Sequence, residues 1–307
     1  MPSETCLITG GSGLIGQALT KQLRLRGHEV RILTRSENLA SQPGYYHWSV
    51  HNRTLDTEAL KDADHIIHLA GAGIASKRWT PKRKLTILNS RVDGLRFLFE
   101  MVQKEKSRPR TLVSASGVNY YGTKTTNHIF SETDPPAGDF LGKTCVEWEQ
   151  SAMAFQDLNI RTVMMRTPMV LSADGGALPK LMLPVKLGLS TPIGNGRQYM
   201  PWIHINDLCH SYVKAIEDPS MSGPYNANAP EQPTNKEFMK IAAKTIQRPF
   251  WHLNIPGFFL RLILGEMAGV ILEGSRVSNS KLVASGFQFK YLDLSSALKE
   301  IYASKSK

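Results

Sequence analysis

Three glycines spaced by three residues, in Thr9-Gly10-Gly11-Ser12-Gly13-Leu14-Ile15-Gly16, stand between a short apolar run and a segment with apolar residues at helical spacing. The chemistry such a spacing serves is the grip of a diphosphate. Gly10 can make the tight turn, Gly13 lets backbone approach a pyrophosphate, and Gly16 permits close packing of the helix that Leu14 and Ile15 open. The anion then sits on free N–H groups at the positive end of that helix. Nineteen residues past Gly16, Thr34-Arg35-Ser36 closes a second strand-like run. An acidic residue there would accept hydrogen bonds from the ribose hydroxyls of NAD, whereas a guanidinium pairs with the 2′-phosphate of NADP. Arg35 therefore favours NADP(H), with Glu37 as a neighbouring group able to serve a ribose and plain solvent exposure as the alternative use of the arginine.

Candidates for proton transfer lie further along. Ser116 and the pair Tyr120-Tyr121 follow a strand-like run, and Lys143 stands in a helical segment beyond them. A positioned phenol, hydroxyl or amine is what proton exchange beside a hydride transfer requires. Each also has a structural use: the tyrosines as packing groups, Lys143 as a helix-surface cation, and Cys145 as a small buried thiol rather than a nucleophile. For a substrate carrying phosphate or carboxylate, Arg78 and Trp79 in the Lys77-Arg78-Trp79 loop, Arg197 and His204 offer an anion-binding wall. His204 stands at a strand-to-helix junction in which Asn206 or Asp207 reads as an N-cap. No cysteine or histidine spacing suits a metal ion.

The elements that must position these groups alternate through the first half of the chain. Cys6–Thr9, Val30–Thr34, His65–Ala70, Thr111–Ala115 and Ile160–Arg166 read as strands, and Leu14–Arg26, Lys82–Gln103 and Gly142–Phe155 as helices between them. That rhythm predicts an α/β fold, a doubly wound parallel sheet of Rossmann type over residues 1–167. From 168 to 307 the pattern is less regular and predicts a smaller mixed substrate lobe and a helical module, with some segments returning to the sheet. Helices are expected near 178–187, 206–217, 235–246, 258–272 and 295–302, with short strands at Trp202–His204 and Tyr225–Ala227. Ligands of open α/β sheets bind beyond the carboxyl ends of the strands, which places the substrate between the two parts.

Composition narrows the classes. The 307 residues are 41% hydrophobic and 21% charged, which is globular composition. The three cysteines cannot form a disulfide framework, so a reducing, cytoplasmic setting is expected. The first residues lack a secretory pattern, and the apolar tract Phe258–Leu272 is interrupted by Arg261 and Glu266 and too short to span a bilayer. A net charge of +11 favours anionic partners. The cluster Lys77–Lys84 reads as the start of a helix, capped by Thr80 with Pro81 in first position, rather than as a nucleic-acid patch. The expected partner is a small molecule, with no nucleic acid and no membrane.

These motifs together resemble the extended short-chain dehydrogenase/reductase superfamily, the NAD-dependent epimerase/dehydratase group. The closer resemblance is to its atypical epimerase-family branch with a C-terminal module. It is carried by the glycine spacing and by His68-Leu-Ala-Gly-Ala-Gly-Ile, Asn89-Ser-Arg-Val, Ser116-Gly-Val-Asn-Tyr-Tyr-Gly, Asp174-Gly-Gly-Ala, Gly194-Asn-Gly-Arg-Gln, Pro201-Trp-Ile-His-Ile-Asn-Asp-Leu and the final module from Ser275-Arg-Val to Ala297-Leu-Lys-Glu. The resemblance implies that Leu69, Ala70 and Gly71 line an NADP(H) cofactor, that Arg91 reaches it, and that the Arg166–Val170 segment lies beside the nicotinamide. It also implies a Tyr-x-x-x-Lys pair with a serine, and here the chain departs. Aligning on Glu149 puts Leu141 and Cys145 at the pair, and aligning on Lys143 puts Asp139 at the tyrosine. The expected function is an NADP(H)-binding, epimerase/dehydratase-like oxidoreductase lacking that pair. The alternative is a non-catalytic NADP(H)-binding sensor or interaction protein.

Overall fold

Leu7 has no exposed surface, and neither do its neighbours Cys6 and Ile8, whose side chains point to the opposite face of the sheet. Such continuous apolar runs mark strands covered on both sides. In the computed structural model, which describes residues 3–303, the strands are β1 (Thr5–Thr9), β2 (Glu29–Thr34), β3 (Tyr45–Ser49), β4 (Thr54–Leu55), β5 (His65–His68), β6 (Thr111–Gly117), β7 (Ile129–Phe130), β8 (Arg161–Thr167), β9 (Met169–Leu171), β10 (Trp202–His204), β11 (Gly223–Asn226) and β12 (Arg276–Val277). Eight of them form one sheet in the order β11-β8-β6-β5-β1-β2-β3-β4. Every pairing in it is parallel except β3 with β4.

The helices are α1 (Leu14–Leu25), α2 (Glu37–Ala40), α3 (Pro81–Lys104), α4 (Phe140–Met153), α5 (Leu178–Lys186), α6 (Ile205–Glu217), α7 (Asn235–Thr245), α8 (Gly257–Leu264), α9 (Gly269–Leu272), α10 (Ser280–Ala284) and α11 (Leu294–Ala303). Leu19 and Leu23 of α1 and Leu208, Tyr212 and Val213 of α6 pack on one sheet face, against Ile8, Ile32, Ile67 and Val163. Leu95, Leu98 and Val102 of α3 and Trp148 of α4 cover the other, against Leu7, Leu33, Ile66 and Leu112. This is the doubly wound Rossmann-type arrangement. A third core, around Trp202, Met182, Phe238 and Leu298, gathers α5, α7 and α11 with two small two-stranded sheets nearby, β10-β9 and β12-β7.

Several local expectations shift. Tyr45–Ser49 carries aromatic side chains without clean alternation, so its place as a sheet strand is set by pairing with β2. Gly223–Asn226 is a seventh parallel strand beside β8. The N-cap of α6 is His204, whose Nδ1 accepts the Asn206 N–H at 3.1 Å; Asp207 instead accepts the backbone N–H groups of Lys290 and Tyr291, each at 3.0 Å. The run Phe258–Leu272 does not continue as one helix because the chain turns at Gly265, with φ +62°. The Thr80–Pro81 helix start is as expected: the Thr80 hydroxyl accepts the Arg83 N–H at 3.2 Å. Among the described residues no helix is long and apolar enough to cross a membrane.

Candidate functional site

From β1 the chain passes to β2 on one side and later returns through β5 on the other, so the carboxyl end of β1 lies at the switch point where open α/β sheets bind ligands. Gly10 follows Thr9 with φ +73°, and a Cβ there would lie 2.8 Å from the backbone of Leu69 and Ala70. Gly16 is as constrained, since its Cβ would stand 2.3 Å from the Gly10 carbonyl oxygen. Gly13 differs: its N–H donates to Gly10 O at 3.0 Å, yet a Cβ there would meet only that carbonyl, at 3.3 Å. No side chain caps α1 at Gly13 and no acidic residue occupies its first turn. The positive end of the helix is thus left without a capping side chain or a neighbouring acid, which fits a diphosphate. Across the switch point the Thr9 hydroxyl is bonded to His68 Nδ1 at 2.9 Å and accepts the Ala70 N–H at 3.3 Å, tying the two banks together.

On the β2 side Thr34 is buried and its hydroxyl accepts the Ser36 N–H at 3.2 Å, which bends the chain outward at Arg35. Arg35 is exposed and makes no hydrogen bond or ion pair among the described residues. On the β5 side Gly71 packs against Arg91, whose Cζ would stand 3.3 Å from a Cβ at that position. Arg91 donates to the carbonyls of Ala72 and Ile87, at 3.0 and 2.8 Å, and its guanidinium lies 4.9 Å over the Trp148 ring. Burial lowers its proton affinity below the ordinary arginine value. Ile15, Leu69 and Val170 pack on one core cluster, and Leu14 touches Gly175 and Gly176 in the loop after β9. The sequence-predicted cofactor residues therefore come together around the carboxyl ends of β1, β2 and β5.

Beyond β6 a buried polar network joins residues that local sequence does not connect. The Ser116 hydroxyl donates to Glu149 at 2.6 Å, and Arg166 donates to the same carboxylate at 2.8 and 2.7 Å. Arg166 also donates to the Tyr121 hydroxyl at 2.7 Å, which in turn donates to Asn226 Oδ1 at 2.9 Å. The guanidinium lies 3.5 Å from the Tyr120 ring centroid. Burial pushes the Tyr121 phenol up to about 12, against the opposing pull of Arg166 and Asn226. For Arg166, burial lowers the proton affinity, but the bonds to Glu149 outweigh it and the net shift is upward. The one signal available in sequence was a charge at the end of an apolar run, Arg166 in Thr162-Val-Met-Met-Arg; Glu149, in Glu147-Trp-Glu-Gln, has the setting of a polar helix face.

Lys143 is exposed on α4 and does not join this group. Leu141 and Cys145 are buried, and the Cys145 thiol donates to Gly117 O at 3.7 Å. Burial pushes that thiol up to about 12. Trp79 donates its indole N–H to Ile74 O at 2.8 Å and packs edge-on against Phe140 at 5.1 Å, while Arg78 lies exposed beside Gly265. Arg197 is exposed in a separate turn between Gly196 and Gln198. His204 is brought elsewhere: Nε2 meets Glu300 at 3.0 Å, Nδ1 caps α6, and the ring lies 3.9 Å from Tyr291. Among the described residues no cluster of His, Cys, Asp or Glu could hold a metal ion.

Comparison with known proteins agrees with this architecture. Residues 6–227 match the model of the NAD dependent epimerase/dehydratase family, and residues 255–301 match a domain of unknown function, DUF1731. The epimerase family protein YfhF of Bacillus subtilis is 38% identical over 300 residues, covering 97% of this chain and 98% of its own. The crystal structure of human epimerase family protein SDR39U1, solved with NADPH, superposes with a TM-score of 0.87 at 32% identity, over 97% of this chain and 99% of the human one. A nucleoside-diphosphate sugar epimerase of Corynebacterium glutamicum superposes at 0.80 and 32% identity, over 99% of this chain and 61% of that one. By a family model spanning most of the sheet and by relatives aligned end to end, the chain belongs to the NAD dependent epimerase/dehydratase family.

Proposed function

We propose that this protein binds NADP(H) and acts as an epimerase/dehydratase-like oxidoreductase on a small anionic substrate, without the Tyr-x-x-x-Lys pair. The preference for NADP(H) is carried by Arg35, an exposed guanidinium without a partner among the described residues, at the end of β2, beside the strand from which the uncapped α1 starts. The NADPH in the human relative's structure supports it. In this reading the N–H groups around Gly13 hold the diphosphate, Arg35 takes the 2′-phosphate, and Leu69, Ala70, Gly71, Arg91 and Val170 line the rest. The bound nicotinamide would supply hydride chemistry. Ser116 retains oxygen lone pairs to accept a substrate hydroxyl, and Tyr121 is the phenol nearest to it in the network. Arg78, Trp79 and Arg197 are the groups for an anionic substrate. Three buried free cysteines accord with a cytoplasmic location.

A second reading, a non-catalytic NADP(H)-binding sensor, is favoured by one observation: the Ser116 and Tyr121 protons are already given to Glu149 and Asn226. The test is calorimetry with NADPH and NADH, followed by a panel of carbonyl substrates. The proposal expects tighter NADPH, a preference erased or reversed by Arg35→Asp, and turnover that falls in Ser116→Ala. Equal affinities in the unaltered protein overturn the cofactor assignment, and binding without turnover on any substrate transfers the case to the sensor.

A further inference from the structure

Helix α8 reads Gly-Phe-Phe-Leu-Arg-Leu-Ile-Leu, and none of its residues is buried. Phe258 is 62% exposed, Leu262 74% and Ile263 68%. A helix apolar on nearly every side belongs in a core or against a hydrophobic partner. The break at Gly265 explains how it stays outside: Met267, Ala268 and Leu272 after the break are buried, and Leu272 packs under Gly257 at the start of α8. The apolar surface extends along the preceding strand-like segment, where Leu253 is 82% and Trp251 54% exposed. That segment is bridged to 190–193, which follows the exposed Leu187 and Leu189.

The charges around this face are mostly positive: Glu266, which directly follows α8, is paired with Lys84, and Glu273 faces Arg261. Residues 175–206 contain Lys180, Lys186 and Arg197 and no Asp or Glu; residues 238–265 contain Lys240, Lys244, Arg248 and Arg261 and again no Asp or Glu. All seven cations are exposed. Only Arg261 among them has a carboxylate within ion-pair range in the described residues, Glu273 at 3.9 Å. Bulky hydrocarbon, exposed aromatic rings and unpaired cations are the combination that seats a protein at the interface of an anionic membrane. A second copy of the chain fits worse, because two such faces would bring like charges together.

We infer that this face, α8 with the 251–255 segment and its surrounding cations, docks peripherally on the surface of an anionic lipid bilayer. Nothing in the inference depends on the nucleotide reading. It departs from the sequence expectation of no membrane partner, for which Arg261 and the shortness of the tract speak only to spanning.

The test is co-sedimentation of the full chain with vesicles of phosphatidylcholine alone or with about one third phosphatidylserine. Binding is expected to the mixed vesicles, weak to phosphatidylcholine, and lost at about 0.5 M salt, where screening cuts the lipid attraction. Leu262→Asp/Ile263→Asp is expected to weaken it at least tenfold. Lys244→Gln/Arg248→Gln, which leaves α8 intact, is expected to weaken it by roughly fivefold per charge removed. Unchanged thermal unfolding certifies the folded state of each variant. Absence of binding to mixed vesicles at low salt, equal binding to both vesicles, or binding indifferent to both variants overturns the inference. So does a dimer in sedimentation equilibrium that Leu262→Asp/Ile263→Asp abolishes while the vesicles stay bare.

Discussion

Ser116 and Arg166 are register partners across β6 and β8, and both donate to the carboxylate of Glu149. On the other side of β8, Arg166 pairs in register with Asn226 of β11. Three adjacent parallel strands thus carry a serine, an arginine and an asparagine side by side, with Glu149 reaching in from α4 and Tyr121 closing the chain between Arg166 and Asn226. Arg166 is only 2% exposed and Glu149 6%. In so dry a setting, a network serves a fold only when every member is satisfied.

Breaking it should therefore cost more than its hydrogen bonds alone. Glu149→Gln removes the only carboxylate bonded to Arg166 among the described residues and leaves a buried cation uncompensated, for which a loss of roughly 3–5 kcal/mol is expected. Arg166→Met should do similar damage from the other side, and the double variant should recover part of the loss. Urea unfolding of the three proteins measures this. A single substitution costing less than about 1 kcal/mol would show that water already reaches the pair.

The layered sheet was legible because β1, β2, β5, β6 and β8 are short apolar runs between helical periodicities, and the glycine turn lies where the first run meets the first helix. What stayed hidden depends on non-local pairing. Tyr45–Ser49 becomes a strand through β2, and the strand expected at Tyr225–Ala227 takes its place at the sheet edge, as Gly223–Asn226, only through β8. The Glu149–Arg166 pair joins residues seventeen apart that no local rule connects. His204 is placed partly by a local bond, its cap on the Asn206 N–H, and partly by a distant one, its contact with Glu300 of the last helix.

Gly13 and Gly16 separate binding from folding. An alanine methyl at Gly16 collides with the Gly10 carbonyl at 2.3 Å, so Gly16→Ala should lower both the unfolding temperature and NADPH affinity. At Gly13 the same methyl meets only one atom, at 3.3 Å, and otherwise enters the space where the proposal puts the diphosphate. Gly13→Ala is expected to unfold within a few degrees of the parent while losing at least about tenfold in NADPH affinity, or ~1.4 kcal/mol. Retained affinity would place the phosphates somewhere else.

Cysteine reactivity offers an independent check on the interior. Cys6, Cys145 and Cys209 are all buried and free, and burial pushes each thiol up to about 12. The nucleophile in alkylation is the thiolate, so at pH 8 the folded protein should react with iodoacetamide at least about a hundredfold more slowly than the urea-unfolded chain. Peptide mass spectrometry resolves the three sites. Rapid labelling confined to Cys145 would revive it as a reactive group beside Gly117.

The buried histidines set the direction of the acid response. Burial holds His68 down to about 3, and it lowers His65, His204 and His210 as well. Between the ordinary histidine value near 6.5 and the folded value, the unfolded chain binds a proton that the folded chain refuses. Stability must then fall as pH drops below about 6.5, and these groups contribute no slope above it. For His68 the slope approaches ~1.4 kcal/mol per pH unit well inside that window. Measuring urea unfolding from pH 7 to 4.5 stays largely above the range where carboxylates titrate. His68→Asn, which removes the titrating ring, should flatten the fall by about that amount per unit. A stability that stays level from pH 6.5 to 4.5, or a slope untouched in His68→Asn, would mean that the imidazole under the switch point takes up its proton in the folded state.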